Sequence, residues 1–238
     1  SSDIFFLCDQ DDMWEPNKLR RQSQYFPDRG REPASLLVHS DLSVVDERLL
    51  PVHPSMIAHM ALDIHPSHPF TYLLSRNFVT GCATAGNRHL LEDALPIPAN
   101  AIMHDWWLAL VAAMNGVIEF VDEPLIKYRQ HSSNTIGAKG FWQGLIPTRN
   151  WVDAWRIGNQ NFLETFDQAQ ALLDVSRGHQ DWPSERIVFL RAYTQLLALP
   201  LYRRFKEARR MGLRQGKVLL QALFYLRVLT LRKPRQPP

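Results

Sequence analysis

The start of the chain constrains its fold most, because a run of apolar residues there ends in a group of carboxylates. Residues 4–8 are apolar, and Asp9, Asp11 and Asp12 follow within four positions. A short block of apolar, β-forming residues predicts a buried strand. Ligands of open α/β sheets bind at the carboxyl ends of the strands. At such an end, Asp9 and Asp11 can converge on one divalent cation, which would relieve the repulsion between their charges.

The same carboxylates also suit the beginning of a helix, where Asp side chains accept hydrogen bonds from backbone amides. Asp12 would then cap a helix in which Pro16 stands early and residues 17–21 follow. Taken alone, this segment favours the cap and the metal site equally. A buried strand also needs neighbours on both sides. We therefore expect residues ahead of Ser1, or another chain, to supply the flanking strands.

The composition is that of a globular protein. The 238 residues are 45% hydrophobic and 21% charged, which suits one large domain or one domain with an appendage. The two cysteines, Cys8 and Cys82, cannot build a disulfide framework and favour a reducing, cytosolic compartment. No apolar run reaches the length that spans a bilayer.

The charge is divided unevenly along the chain. Residues 201–238 hold 11 Lys and Arg against one acid, Glu207, and so carry +10. The total is +3, so the other 200 residues carry −7. A split of this kind predicts that the tail meets an acidic partner or surface while the body has another task.

The pattern of the first 140 residues predicts a mixed α/β domain, with strands near 36–39 and 117–121. Residues 104–114 predict a helix that is apolar almost all round and therefore buried, and Gly116 ends it. Residues 50–70, rich in Pro and His, predict a surface loop. From residue 141 onward the spacing predicts helices only, at 150–175, 184–199 and 213–232, the last one basic and apolar.

Four motifs follow one another in order: FFLCDQDDMW at 5–14, NFVTGC at 77–82, HDWW at 104–107 and YRQHSSNTIGA at 128–138. Each motif alone is weak, but four in order make a chance match improbable. With them the chain resembles the family 2 glycosyltransferases of the GT-A fold, and most closely the bacterial rhamnosyltransferase-like branch. The resemblance covers about residues 3–138. It implies that residues 1–140 are the downstream part of a GT-A domain and 141–238 a helical extension.

The resemblance implies a metal-dependent, inverting transfer of a sugar. Asp9 and Asp11 match the family's Asp-x-Asp motif, which would hold Mg²⁺ or Mn²⁺ against the diphosphate of a nucleotide-sugar donor. Asp105 matches the catalytic base, which takes the proton from the acceptor hydroxyl. His131 falls where some members place a further metal or phosphate ligand, and Arg129 would offset the diphosphate charge. For His131 and Arg129 an equal alternative is a polar pair that ties an extended segment to the sheet.

Other residues of the motifs suit an acceptor. Trp106 and Trp107 offer faces on which a sugar can stack, although packing in the core is the better interpretation for that helix. Gly81 lies in a stretch of small residues, where a ligand or another backbone can approach closely. Two departures from the family stand out. The upstream units that hold the nucleoside are absent from this sequence, and His104 replaces the Glu that precedes the base in many relatives.

The expected reaction is therefore transfer of a single sugar, with rhamnose a candidate, to a glycan or lipid-linked acceptor in bacterial surface polysaccharide synthesis. The alternatives are another metal-dependent nucleotidyl or phosphoryl transferase, and a truncated, non-catalytic fragment that docks on a partner or a membrane. The basic segment 213–233 suits an anionic membrane surface, which would place the protein in the cytoplasm on the inner face of the plasma membrane. Plain packing and a homo-oligomer contact are the alternatives for this segment. We expect no nucleic-acid partner, because aromatic and basic residues do not interleave on one face.

Overall fold

The computed structural model describes residues 3–26, 35–60, 62–64, 68–130, 151–213 and 218–231. The architecture is mixed α/β, as the sequence predicts, and it divides into two compact units. The first unit comprises Ser1–Pro69, Asn77–Ala99 and Met103–Asn134, and the second comprises Phe70–Arg76, Asn100–Ile102 and Thr135–Pro238. The predicted boundary near residue 140 lies outside the described residues.

The first unit is built on a six-stranded sheet in the order β1-β5-β3-β6-β2, with β4 also pairing with β3. The strands are β1 Ile4–Phe6, β2 Met13–Trp14, β3 Ser35–Val45, β4 Pro51–His53, β5 Thr84–Asn87 and β6 Gly116–Arg129. The pairing of β3 with β6 is parallel, and the other pairings are antiparallel. The parallel register runs from Ser35 opposite Gly116 to Val45 opposite Arg129, with irregularities beside Asp41.

The centre of the sheet is the buried part. Leu37, Val38 and Val44 of β3 are fully buried between the neighbouring strands and the covering helices. By contrast, β1 is only half-buried and pairs with β5 alone among the described residues. The prediction of a strand at 4–8 is confirmed in part, but its side chains are not buried as expected.

Four helices of the described residues accompany the sheet: α1 Lys18–Ser23, α2 Met56–Met60, α4 Arg88–Ala94 and α5 His104–Asn115. The short helix α3 Pro69–Leu73 falls almost wholly in the second unit, which takes Phe70–Arg76. The predicted buried helix is confirmed by α5, in which every residue from Asp105 to Met114 is buried. It ends directly before Gly116, where a Cβ atom would overlap the carbonyl group of Ser35. The predicted loop at 50–70 is wrong in part, because β4 pairs with the end of β3 and α2 follows it.

The second unit is helical, as predicted. Its long helices are α6 Trp151–Val175, α7 Ser184–Gln195, α8 Leu201–Arg210 and α9 Val218–Thr230. Its core joins α6 to α7 through the stacked rings of Phe166 and Tyr193, whose centroids are 4.5 Å apart. It joins α6 to α9 through Phe162 and Phe224, 5.6 Å apart. No helix in the described part of the chain has both the length and the apolar character needed to cross a membrane.

Candidate active site

The loop between β1 and β2 carries the carboxylates. The Leu7 amide donates to the carbonyl of Thr84 at 3.0 Å, after which the chain leaves the sheet. It returns at β2, whose pairing with β6 brings Asp12 beside the end of that strand. There the Arg129 amide donates to Asp12 Oδ1 at 3.0 Å. Asp12 is therefore not a helix cap: residues 13 and 14 are a strand, and α1 begins only at Lys18.

One oxygen of Asp9, one of Asp12 and the sulfur of Cys82 lie within 4.8 Å of one another. Asp9 is exposed and Cys82 is buried in the 3-10 turn Gly81–Ala83 that precedes β5. Carboxylate oxygens and a thiolate are ligands for divalent cations. Asp12 Oδ2 is buried and accepts no N–H or O–H hydrogen bond from the described residues. These groups fit a divalent cation, and the sulfur favours one softer than Mg²⁺.

The surroundings of Asp12 and Cys82 disfavour the deprotonated, negatively charged forms of both groups. Burial raises the pKa of Asp12, and the nearby carboxylates of Asp9 and Asp11 raise it further, against hydrogen bonds from Cys82 and the Arg129 amide. Burial raises the pKa of the Cys82 thiol well above its ordinary value, and the charge of Asp12 acts in the same direction. A cation bound here would favour the deprotonated forms of both groups, because it supplies the missing positive charge.

Asp105 stands in the first turn of α5 and is almost fully buried, with 8% of its surface exposed. Its Oδ2 accepts the Gly81 amide at 2.9 Å, and its Oδ1 accepts the Trp106 amide at 2.6 Å. Burial raises the pKa of Asp105; electrostatic interaction with His104 and the two backbone amides lower it, and the charge of Asp9 raises it. Asp9 thus acts on both Asp12 and Asp105, so the exposed loop and the start of α5 share one acidic region.

Gly81 lets these elements approach closely. A Cβ atom at this position would lie 2.9 Å from His104 Nε2 and 3.4 Å from Asp105 Oδ2. The short distance to Asp105 is the same approach that allows the Gly81 amide to hold the carboxylate. A side chain at position 81 would therefore displace the His104 imidazole, whereas its contact with Asp105 would be an ordinary van der Waals contact.

Three other residues, Asp11, Arg129 and His131, were predicted from the sequence to bind the metal or the donor phosphates. Asp11 is half-buried and acts on Asp12 through its charge, but the group of close ligand atoms contains Asp12 in place of Asp11. Arg129 ends β6 and contributes its backbone amide to the site. His131 lies outside the described residues.

The two tryptophans are core residues in this structure. Trp106 and Trp107 are both 0% exposed, and Trp107 Nε1 donates to the carbonyl of Ala94 at 2.9 Å. Since neither ring presents a face to solvent, neither can stack on an acceptor sugar as folded. Of the two interpretations drawn from the sequence, packing describes them, because α5 is apolar all round.

Cys82 and Asp12 are the site residues that the sequence analysis did not assign to a metal. Cys82 ends one of the four motifs, but a single cysteine among small residues is typical of a small buried hydrophobe. Its position beside Asp9 and Asp12 becomes visible only when the sheet brings the turn before β5 next to the loop after β1.

No protein-family model matches the chain, and no solved structure matches it. One protein of Mycobacterium bovis and two from strains of Mycobacterium tuberculosis are each 27% identical to it over 182 residues. The matched region covers 74% of this chain and 45% of each relative, so the chain spans less than half the length of these relatives. All three bear the name "uncharacterized protein" and so carry no functional description.

Proposed function

We propose that the chain is part of a metal-dependent, inverting glycosyltransferase of the GT-A fold. It would move a sugar from a nucleotide-sugar donor to a glycan or lipid-linked acceptor. The observation that supports this most is the shared acidic region. A group able to hold a cation, formed by Asp9, Asp12 and Cys82, lies close enough to Asp105 for the Asp9 charge to act on that buried carboxylate. The four motifs that resemble family 2 glycosyltransferases support the same function.

The protein's own groups fit the two tasks of such a transfer. A bound divalent cation would supply Lewis-acid stabilisation of the departing diphosphate. Of the two cations expected from the motifs, Mg²⁺ and Mn²⁺, the sulfur of Cys82 favours Mn²⁺. Asp9 and Asp12 would hold it, with Cys82 as a third ligand, and Asp11 would add negative charge next to them. This proposal revises the ligand set expected from the motifs, Asp9, Asp11 and His131: Asp12 replaces Asp11, and Cys82 is added. His131 stays a prediction, because it lies outside the described residues.

Asp105 would accept the proton of the acceptor hydroxyl. Two backbone amides fix its carboxylate, which limits its motion and holds the base in one orientation. Burial raises the pKa of Asp105, and a carboxylate with a raised pKa accepts a proton more readily. The nearby charge of Asp9 acts in the same direction, so a cation on Asp9 would also tune the base.

Two substitutions in the natural full-length protein test this proposal. Asp9→Asn should lower Mn²⁺ affinity, measured by the paramagnetic signal of free Mn²⁺ during titration. Asp105→Asn should keep Mn²⁺ binding but should abolish sugar transfer from nucleoside-diphosphate sugars. Its amide can accept only one of the two backbone N–H groups that the carboxylate accepts, so the melting temperature should fall somewhat, and circular dichroism checks that the variant is folded. Transfer retained in Asp105→Asn would refute the base assignment.

The choice of nucleotide separates this function from a nucleotidyl or phosphoryl transferase. With Mn²⁺ present, nucleoside-diphosphate sugars should raise the melting temperature more than nucleoside triphosphates do. The reverse order would favour the second class, which also uses paired carboxylates at a strand end.

A further inference from the structure

One side of α6 packs against one side of α9 in the second unit. The rings of Phe162 and Phe224 meet edge to face between the two helices, with centroids 5.6 Å apart. Residues three or four positions apart lie on the same side of a helix. Asn159 therefore shares the side of α6 that carries Phe162, and Arg227 shares the side of α9 that carries Phe224. The contact brings a cation of α9 to a half-buried position beside α6.

Three residues of α6 surround the Arg227 side chain. Arg227 Nε donates to Asn159 Oδ1 at 3.2 Å, and the guanidinium carbon lies 5.5 Å from the ring centroid of Trp155. Gly158 is buried, and a Cβ atom there would overlap Arg227 Nη2. A glycine inside a helix lowers helix stability, and here it leaves room for the guanidinium tip.

Arg227 has no carboxylate partner in the described part of the chain. Helix α9 contains no acidic residue, and Asp153 of α6 pairs with Arg156 at 3.4 Å. Burial lowers the pKa of Arg227, and no charge among the described residues acts against that shift. Burying a cation without a counter-charge costs free energy, which a bound anion would offset.

The groups that this arrangement leaves for a ligand are hydrogen-bond donors. The bond to Asn159 uses the Nε–H of Arg227, which leaves the N–H groups of Nη1 and Nη2. The Asn159 atom that faces Nε must be its oxygen, because Nε–H is a donor, so the amide nitrogen is the end left over. A guanidinium fork next to an amide donor matches a phosphate, whose oxygens accept several hydrogen bonds.

We propose that Arg227 and Asn159, backed by the ring of Trp155, form a binding site for a phosphate group. The two Nη atoms would donate to two phosphate oxygens, and the Asn159 amide nitrogen would donate to a third. The Trp155 ring supports the guanidinium from one side. Residues 201–238 carry +10, which attracts anions to this unit and favours a dianion over a carboxylate.

The proposal does not rest on the glycosyltransferase function, because it concerns the second unit and is tested without metal. The complete chain is treated with a chelating resin and titrated at constant ionic strength with inorganic phosphate or octyl phosphate. The linewidth of the phosphorus NMR signal measures binding. Binding of inorganic phosphate supports a soluble ligand, and binding of octyl phosphate alone supports a lipid one. Binding of neither, or displacement of phosphate by an equal concentration of acetate, overturns the proposal.

Paired variants assign the binding to Arg227. Arg227→Met should weaken phosphate binding at least about tenfold, since hydrogen bonds to a charged group contribute this much. Arg191→Met, at an exposed position of α7, removes the same charge elsewhere and should bind as the wild type does. An equal loss in both variants would show unspecific attraction to positive charge and would refute the site.

Gly158→Ala tests the site while keeping every charge. Alanine favours the helix, so the variant should fold, but its Cβ would displace the flexible guanidinium tip and weaken phosphate binding several-fold. Gly178→Ala, with nothing within 4 Å of its Cβ, is the matched control. Circular dichroism checks that every variant is folded. Unchanged phosphate binding in both Arg227→Met and Gly158→Ala would place the ligand elsewhere and overturn the proposal.

Discussion

Lys18 provides a sharp test of the energetics of the first unit, because it is a fully buried cation. Its Nζ donates to Gln22 Oε1 at 2.8 Å and lies 4.1 Å from the ring centroid of Trp14 and 5.2 Å from that of Phe6. Burial lowers the pKa of Lys18 from 10.5 to about 8, against the opposing influence of the two thiols. The protein therefore carries a charge that its surroundings disfavour at neutral pH.

The pH dependence of stability follows from the difference between the two states. Below pH 8 both the folded and the unfolded states hold the proton, so the folded protein bears the whole cost of burying the charge. Between pH 8 and 10.5 the unfolded chain keeps the proton and the folded protein has lost it, so stability rises with pH. The change across this window is on the order of 3 kcal/mol.

Lys18→Met removes the titration while keeping an unbranched side chain of similar length. We expect the variant to be more stable than the wild type at pH 7 by about 2 kcal/mol, since about 1 kcal/mol is lost with the hydrogen bond to Gln22. The advantage should vanish near pH 9.5, and above pH 10.5 the variant should be less stable than the wild type by about 1 kcal/mol, the free energy of the lost hydrogen bond. Urea unfolding at a series of pH values measures the free energy of unfolding of both proteins. In the difference between the two, the contributions of the other titrating groups cancel.

Lys206→Met, at an exposed position of α8, is the control and should differ from the wild type by a constant amount across the series. Parallel stability curves for the wild type and Lys18→Met would refute the inference that burial shifts this amine. A variant that is less stable than the wild type at every pH would show that the contacts with Trp14 and Phe6 outweigh the desolvation.

Two further substitutions probe the sheet and the metal group. Gly116→Ala should destabilise the protein by about 2–3 kcal/mol in urea unfolding, because its Cβ would overlap the Ser35 carbonyl and force the β3–β6 register apart. Gly178→Ala, with nothing within 4 Å of its Cβ, should change stability little, and equal effects would refute the packing explanation. Cys82→Ser should remove the ultraviolet thiolate-to-metal absorption that Cd²⁺ produces on binding, whereas Cys8→Ser should keep it. Absorption that survives Cys82→Ser would exclude the sulfur as a ligand.

The strongly periodic parts of the fold could be predicted from the sequence. The spacing of apolar residues places α5 within one residue of its observed end, and the helices α6 and α7 begin where expected. Helix α8 was not predicted, because it is rich in charged residues and lacks a periodic row of apolar ones. Only Arg204 and Ala208 are buried in it. Strand β6 continues through Pro124, beyond the predicted strand near 117–121, because irregularities in its register with β3 accommodate the proline.

Site residues could be predicted from the sequence only where they belong to a recognisable motif. Asp9 and Asp105 stand out because each begins or ends an element, and the structure brings their charges into mutual reach. Asp12 was expected to cap a helix, since local sequence cannot reveal a pairing partner that is more than a hundred residues away. Its partner is the amide of Arg129, which only the sheet supplies.

The parallel pairing of β3 with β6 also determines when the site can form. Ser35 and Gly116 begin a pairing between residues 81 positions apart, and the bond from Arg129 to Asp12 joins residues 117 apart. Closing loops of this length is slow compared with local helix formation, so the contacts at the site depend on late events in folding. Partly folded chains would therefore lack the cation-binding group even when their helices have formed. The rate at which metal binding appears during refolding would therefore report the rate at which the sheet is completed.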